Sequence, residues 1–491
     1  MYAVLSRTPW SIFAGFSVLL VLFFAVLPTL SASAAGSPLQ ISSDPYTNST
    51  SQHQTQVEPD SYSHGSTIVA ATQVGRFNDG GGSNIGWSTS TDNGTTWQHG
   101  FLPSTTVYAT PVGTYDRLSD PTVAYDAAHN HWLISSLAIS NASGAPVGVA
   151  VIVSISVDGG LTWNAPVVVA NANGGFFDKD WIVCDNTATS PFYGHCYNEW
   201  DITTSNNLVQ MSTSSDGGTS WSAGQATAQN DSGLGGQPLV QPNGTVIVPF
   251  LSSTPSISAF TSSNGGTSWG GSVTISSQSD HAVVALRTEP LPSAQIDSKG
   301  NVYVVWQDCR FESGCTTNDL VMSTSTDGVT WSAVQRIPTD AIGSGIDHFI
   351  PGVAVEPSSS GNTAHLALTF YYYPNANCTQ ATCQLEVGFV SSLDGGSTWS
   401  NTTTITPSAM NVTWLANTTA GYMVGDYIAT SFANGKAFPV FVTATAPNNG
   451  QLNEFLATLQ TGLVVAGGTS PASSTHVVFA SSASPTLRTA F

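Results

Sequence analysis

The chain has 491 residues, more than one small domain needs, and suits two or three domains or one large repeat array. Only 8% of them are charged, with 10 Lys and Arg against 30 Asp and Glu, for a formal charge of −20, which speaks against a nucleic-acid binder. The 13 Trp, 14 Tyr and 21 Phe supply a large core rather than a solvated coil, and a single long apolar run excludes a multispan membrane protein.

That run comes first. Arg7 precedes the apolar stretch Ser11–Leu30, and Ala32-Ser33-Ala34 follows. A positive flank, an apolar stretch and small residues read as a secretory signal over 1–35, cut near Ala34 or Ala35; the alternative is an uncleaved anchor. The expected location is therefore secreted or extracellular, with no membrane contact after cleavage. The six cysteines agree with an oxidising compartment. They fall as close pairs, Cys184/Cys196, Cys309/Cys315 and Cys378/Cys383, and the clustering favours three local disulfides among the 15 possible connectivities.

Further along, one motif recurs six times. It begins as Ser90-Thr91-Asp92-Asn93-Gly94-Thr95-Thr96-Trp97 and returns around Asp158, Asp216, Asn264, Asp327 and Asp394, each copy closing on a Trp. Asp folds back onto backbone N–H groups and Gly supplies φ > 0, so each copy predicts a hairpin turn. An alternating strand precedes the turn, as in Gly148–Ser154, and another follows it, as in Thr162–Val169, with the Trp ring buried between neighbouring units. One carboxylate per turn gives too few oxygens for calcium, so no metal and no cofactor are expected.

The motif S-x-D-x-G-x-T-W resembles the Asp-box (BNR) repeat of the sialidase superfamily, over roughly Gln54 to Thr404. The resemblance implies an all-β fold: a β-propeller of four-stranded antiparallel blades, with the box between the third and fourth strands. Six units carry a box. A seventh, Asp426–Phe432, Ala437–Thr445 and Glu454–Leu459, offers three strands, and Leu39–Ser43 is a spare strand that completes it. The reading is seven blades, with six as the alternative. The propeller spans 36–465 and a low-complexity tail spans 466–491.

In such blades the boxes share one rim, and the loops before the first strands and after the second share the other. Five of the nine Arg and Lys beyond the signal sort to that second rim: Arg76, Arg117, Lys179, Arg287 and Arg310. The resemblance implies a sialidase reaction there, in which three arginines hold a substrate carboxylate, an Asp is the acid, and a Tyr paired with a Glu is the nucleophile. Carried over by rim position, Arg76, Arg287 and Arg310 form the clamp, Asp116 or Asp120 the acid, Tyr427 or Tyr422 the nucleophile, and Glu199 or Glu289 its base. Arg117 is a further binding candidate; its bland reading is a partner for Asp116 or Asp120, as Asp308 is for Arg310. Tyr371, in Tyr371-Tyr372-Tyr373, is either core or a sugar-stacking platform. The family's Arg-Ile-Pro element is matched only by Arg336-Ile337-Pro338, after the fifth box, which reads as chance. The expected function is a secreted, monomeric, sialidase-like glycoside hydrolase acting on terminal sialic acid or a related glycan. The alternatives are a non-catalytic propeller binding glycans or a surface partner, and a glycosidase on a neutral polysaccharide.

Overall fold

Seven four-stranded antiparallel units follow one another along the chain in a computed structural model that describes residues 37–468, Met1, and the backbone of 470 and 471. The apolar run, the expected cleavage site and residues 472–491 lie outside the described residues. Unit 1 has strands Gln56–His64, Thr67–Arg76, Gly82–Ser90 and Gln98–Phe101. Unit 2 has Arg117–Asp126, His131–Ser140, Val147–Ser156 and Val167–Asn171. Unit 3 has Phe177–Cys184, Cys196–Ile202, Leu208–Ser214 and Gln225–Ala226. Unit 4 has Leu239–Val240, Val246–Ser252, Ser256–Ser262 and Val273–Ser277, and unit 5 has Ser293–Ile296, Val302–Asp308, Asp319–Ser325 and Gln335–Arg336. Unit 6 has Asp347–Val355, Leu366–Tyr373, Gln384–Ser392 and Thr403–Thr404. The last unit has Ala429–Ala433, Lys436–Ala444 and Glu454–Leu459, and the N-terminal strand Pro38–Gln40 pairs with the third of these, Leu39 opposite Thr458. The described residues hold no α-helix, only three short 3-10 turns.

The first strands touch one another in order from unit 1 to unit 7, and the first strand of unit 7 touches that of unit 1. They are buried over most of their length, because each lies between two neighbours. The apolar faces between units fill with branched and aromatic side chains, as where Val69 of unit 1 meets Ile134 and Ile152 of unit 2.

Each box closes the turn between third and fourth strands as the residue pattern predicts. In the first, Ser90 Oγ donates to Asp92 Oδ1 at 2.8 Å while accepting from Gly94 N at 2.9 Å. Asp92 also accepts from Thr96 N at 2.8 Å and from Thr96 Oγ1 at 2.7 Å, which holds its carboxyl at about 2. The box glycine packs on the preceding unit. Gly218, at φ 86°, has no room for a side chain, since a Cβ would lie 2.5 Å from Leu133 Cδ2 of unit 2. Gly94 of unit 1 does the same against Phe438 of unit 7. The strand after the second box starts later than the pattern suggests, at Val167 rather than Thr162. Trp163, Trp269 and Trp399 are buried, whereas Trp97, Trp221 and Trp331 are half-buried. Asp216→Ala removes Oδ contacts with Ser214, with Ser220 N at 2.9 Å and with Ser220 Oγ. The expected loss is about 1–2 kcal/mol in denaturant unfolding with ligand binding unchanged, because the box lies on the rim away from the charged side chains described next.

All three disulfides are the local ones: Cys184–Cys196, Cys309–Cys315 and Cys378–Cys383. Among the described residues no helix is long and apolar enough to cross a membrane.

Candidate functional site

The first strands of several units begin with the same irregularity. Glu58 (φ 58°), Asp120 (φ 49°), Lys179 (φ 41°) and Ile350 (φ 51°) all sit in the left-handed region, and the pairing with the second strand slips at each. A left-handed, bulged residue is costly for a side chain with a Cβ, and such a bulge re-aims that side chain. Proline follows in three of the four, Pro59, Pro121 and Pro351, and withholds an N–H from the ladder where the pairing slips.

At the three charged positions the result is a buried ionic cluster. Lys179 Nζ lies 3.0 Å from Asp120 Oδ1 and also contacts Asp426 Oδ2. Arg287 donates to the same Asp426 oxygen at 2.6 Å. Glu58 Oε2 accepts from Asp120 N and from Gln73 Nε2, both at 2.9 Å, and Gln73 Oε1 accepts from Arg76 at 2.9 Å. Carboxylate oxygens of Glu58, Asp120 and Asp426 lie within 4.8 Å of one another. Units 1, 2, 3 and 7 and the approach to unit 5 thus supply one cluster. The positive charge a metal would bring to these carboxylates is already supplied by Lys179 and Arg287.

Carboxyls outnumber cations, and burial sorts their protonation. Glu58 is pushed up to about 7 by burial and then by Asp120. Asp178 is pushed up to about 6 by burial, against the pull of Lys179. Burial drives Asp180, Glu199 and Asp201 well above the carboxylate range. Asp426 goes the other way: burial opposes its charge, but Arg287 and Lys179 outweigh it and hold the carboxyl at about 2. Arg76 is lowered to about 10 by burial and by neighbouring Arg287.

Of the residues expected at the site, the cluster takes Asp120, Arg76 and Arg287. Glu289, half-buried two residues after Arg287, is pushed up to about 7 by burial and by Asp426. Glu199 is fully buried against Gly236, where a Cβ would lie 2.7 Å from its Cδ. Tyr427 donates from its hydroxyl to Pro121 O at 3.1 Å and meets Trp181 edge-on, centroids 5.1 Å apart. Burial, Glu58 and Asp120 push its hydroxyl well up, the reverse of what an activated nucleophile requires. Tyr422 accepts from Gln380 at 3.1 Å, and its carbonyl accepts from Arg287 N at 2.7 Å, so it orders the backbone beside the arginine.

Four others lie apart from these contacts. Asp116 accepts from Asn141 N at 2.6 Å and ties down the turn after the second strand of unit 2. Arg117 pairs with Asp79 at 2.6 Å, not with Asp116 or Asp120, and stacks over Phe77. Arg310 grips Asp308 through Nε at 2.9 Å and Nη2 at 2.6 Å, and reaches Ser276 Oγ at 2.9 Å. Tyr371 is core: fully buried, it donates to Val442 O and accepts from Val442 N. The expected arginine trio is therefore a pair, with Lys179 as the third cation.

Sequence reasoning missed Glu58 and Gln73 and assigned no role to Lys179 or Asp426. The signal available was an acid-proline dipeptide at the head of a unit, Glu58-Pro59, Asp120-Pro121 and Glu289-Pro290. Next to the cluster a narrow cavity of about 20 Å³, room for one water, is lined by Lys179, Trp181, Glu199, Asp426 and Tyr427. A separate cavity of about 750 Å³ is lined by the far ends of all seven first strands, toward the box rim.

Residues 140–355 match the BNR repeat-like domain family. No curated protein matches the chain. Among solved structures, a Dyadobacter fermentans protein of unknown function is 14% identical, with a TM-score of 0.47, over 73% of this chain and 99% of that one. The NanB sialidase of Streptococcus pneumoniae is 14% identical, with a TM-score of 0.42, over 86% and 69%. An α-L-arabinofuranosidase of Podospora anserina is 14% identical, with a TM-score of 0.34, over 56% and 90%. These overlaps fix no reaction. The matched segment holds four of the six boxes, those at Asp158, Asp216, Asn264 and Asp327, and is built of antiparallel β units.

Proposed function

We propose that this chain is a secreted, sialidase-like glycoside hydrolase acting on a glycan at the rim opposite the boxes. We further infer a closed ring of seven blades, supported by seven four-stranded units, the Pro38–Gln40 strand beside Glu454–Leu459, and the contact between the first strands of units 7 and 1. The protein is read as a monomer.

The observation that carries the hydrolase reading is a pair of neighbouring carboxyls driven apart. Glu289, half-buried, is held protonated up to about 7, while Asp426 is held ionised down to about 2. Such a separation assigns an acid and an electrostatic partner to one site. Glu289 is the group that protonates a leaving oxygen, and Asp426 is the ionised carboxylate beside it. Fluorogenic glycosides of N-acetylneuraminic acid and of neutral sugars test the reading. Glu289→Gln should lower kcat by about 10²–10⁴ with the fold intact, and wild-type kcat should fall as pH rises past about 7. Absence of turnover on the whole panel between pH 4 and pH 8 would leave a glycan-binding propeller as the better description.

A second reading, hydrolysis of a neutral glycan, is favoured by one feature. Arg310 is engaged by Asp308 and Arg287 by Asp426, so the charges a sialic acid carboxylate requires are already matched inside the protein.

A further inference from the structure

The nine Arg and Lys beyond the signal are few, yet two meet at one side chain with a third close by. Lys179 Nζ, from the first strand of unit 3, and Arg287 Nη2, before unit 5, both donate to Oδ2 of Asp426. Arg76, on unit 1, is buried close enough that Arg287, Glu58 and Asp426 all act on its charge. All four side chains are at least nine-tenths buried. The other oxygen of Asp426, Oδ1, is buried with no hydrogen-bond partner among the described residues. Cations converging on one carboxylate are the arrangement by which proteins hold an anionic ligand. Here the anion is the chain's own side chain.

Asp426 is also fixed in place. The preceding Gly425 adopts φ 141°, and a Cβ there would lie 2.7 Å from Glu58 N, so the backbone runs hard against unit 1. Glu58 N donates to Val424 O at 3.1 Å and secures the same stretch. The carboxylate is a built-in part of the cluster rather than a strap over it. A second anion entering beside it would also face Glu58 and Asp120, whose oxygens lie within 4.8 Å of it.

We propose that Asp426 is a resident anion: it fills the pocket formed by Lys179, Arg287 and Arg76, keeps a substrate carboxylate out, and so restricts the site to sugars uncharged at that position. The proposal rests on the reading of this rim as a glycan site and names its substrate class. The same geometry makes the emptied pocket a receptor for a small monocarboxylate.

The experiment compares wild type with Asp426→Ala by thermal unfolding in sodium acetate and in sodium chloride at equal ionic strength, and titrates both with free N-acetylneuraminic acid. Acetate should raise the midpoint of the variant by about 2 °C or more over chloride and leave wild type unmoved, since an anion that binds only the native pocket stabilises by mass action. N-acetylneuraminic acid should bind the variant and not wild type. Asp426→Ser carries the same measurement should the alanine variant fail to fold. Wild type that binds N-acetylneuraminic acid, with binding lost in Arg287→Ala, overturns the proposal, as does a folded variant indifferent to acetate. The hydrolase reading fails separately: an acetate-stabilised variant together with no turnover of any glycoside keeps the resident anion and removes the hydrolase.

Discussion

Stability should peak near pH 4 and fall as the pH rises to 8, the opposite of the usual acid-sensitive carboxylate protein. Glu58 and Asp60, buried, have folded pKa values of about 7, both pushed up by burial, against ordinary values of 4.5 and 3.8. A raised carboxyl contributes stability that is fully present below its unfolded pKa and is lost as pH climbs through the folded one. For a group moving from 4.5 to about 7, the loss between pH 5 and pH 8 is about 2–3 kcal/mol. Glu289 and Asp178 act in the same direction. The box carboxylates act in reverse. Asp92 and Asp158 are held down to about 2 by turn hydrogen bonds, and what they contribute disappears as pH falls from 4 through 2. The two families of Asp and Glu thus bracket an acidic optimum. Differential scanning calorimetry from pH 3 to pH 9 at fixed ionic strength checks it. A midpoint that rises steadily from pH 5 to pH 8 would show that the buried carboxyls are ionised in the folded state and that the protonation pattern drawn above is wrong.

The contrast between these two families explains what could be read in the sequence. The boxes were legible because their physics is local. Ser214, Asp216, Gly218 and Ser220 all act within seven residues, so pattern and structure coincide. The short disulfides were legible for the same reason. The cluster was only partly so. Arg76, Asp120 and Arg287 could be placed on one rim by counting strands, but the partner of each cation depends on which units face one another and on how each bulge turns its side chain. Lys179 reaches Asp120 across 59 residues and Asp426 across 247. Arg310, by contrast, turned back to Asp308 two residues away, and Arg117 found Asp79 rather than either nearer Asp. Tyr371 was ambiguous because alternation alone does not show whether both faces of a strand are covered; here both are, and its hydroxyl is matched by the backbone of Val442.

Lys179→Met should be the most destabilising single change at the site. The replacement is of similar length and apolar, so packing is largely conserved and charge is what is lost. Lys179 is 6% exposed, and its partners Asp120 and Asp426 are 2% and 3% exposed, so water cannot replace the ammonium. Removing one partner of a buried ionic group leaves the others uncompensated, at a cost of about 3–5 kcal/mol. Asp426 keeps Arg287, whereas Asp120 keeps beside it Glu58, which takes on a charge of the same sign as the pH passes about 7. The carboxyls respond by taking up protons, so the penalty should be smaller at pH 5 than at pH 8. Denaturant unfolding at the two pH values, with near-ultraviolet circular dichroism to establish a native fold, measures both numbers. A loss under about 1 kcal/mol at both would mean that the pairs contribute little beyond the cost of desolvating them, as buried ion pairs can. A loss that is large but equal at pH 5 and pH 8 would instead assign the effect to packing, and would separate the role of Lys179 as a counter-charge from its role as a filler between units 2, 3 and 7.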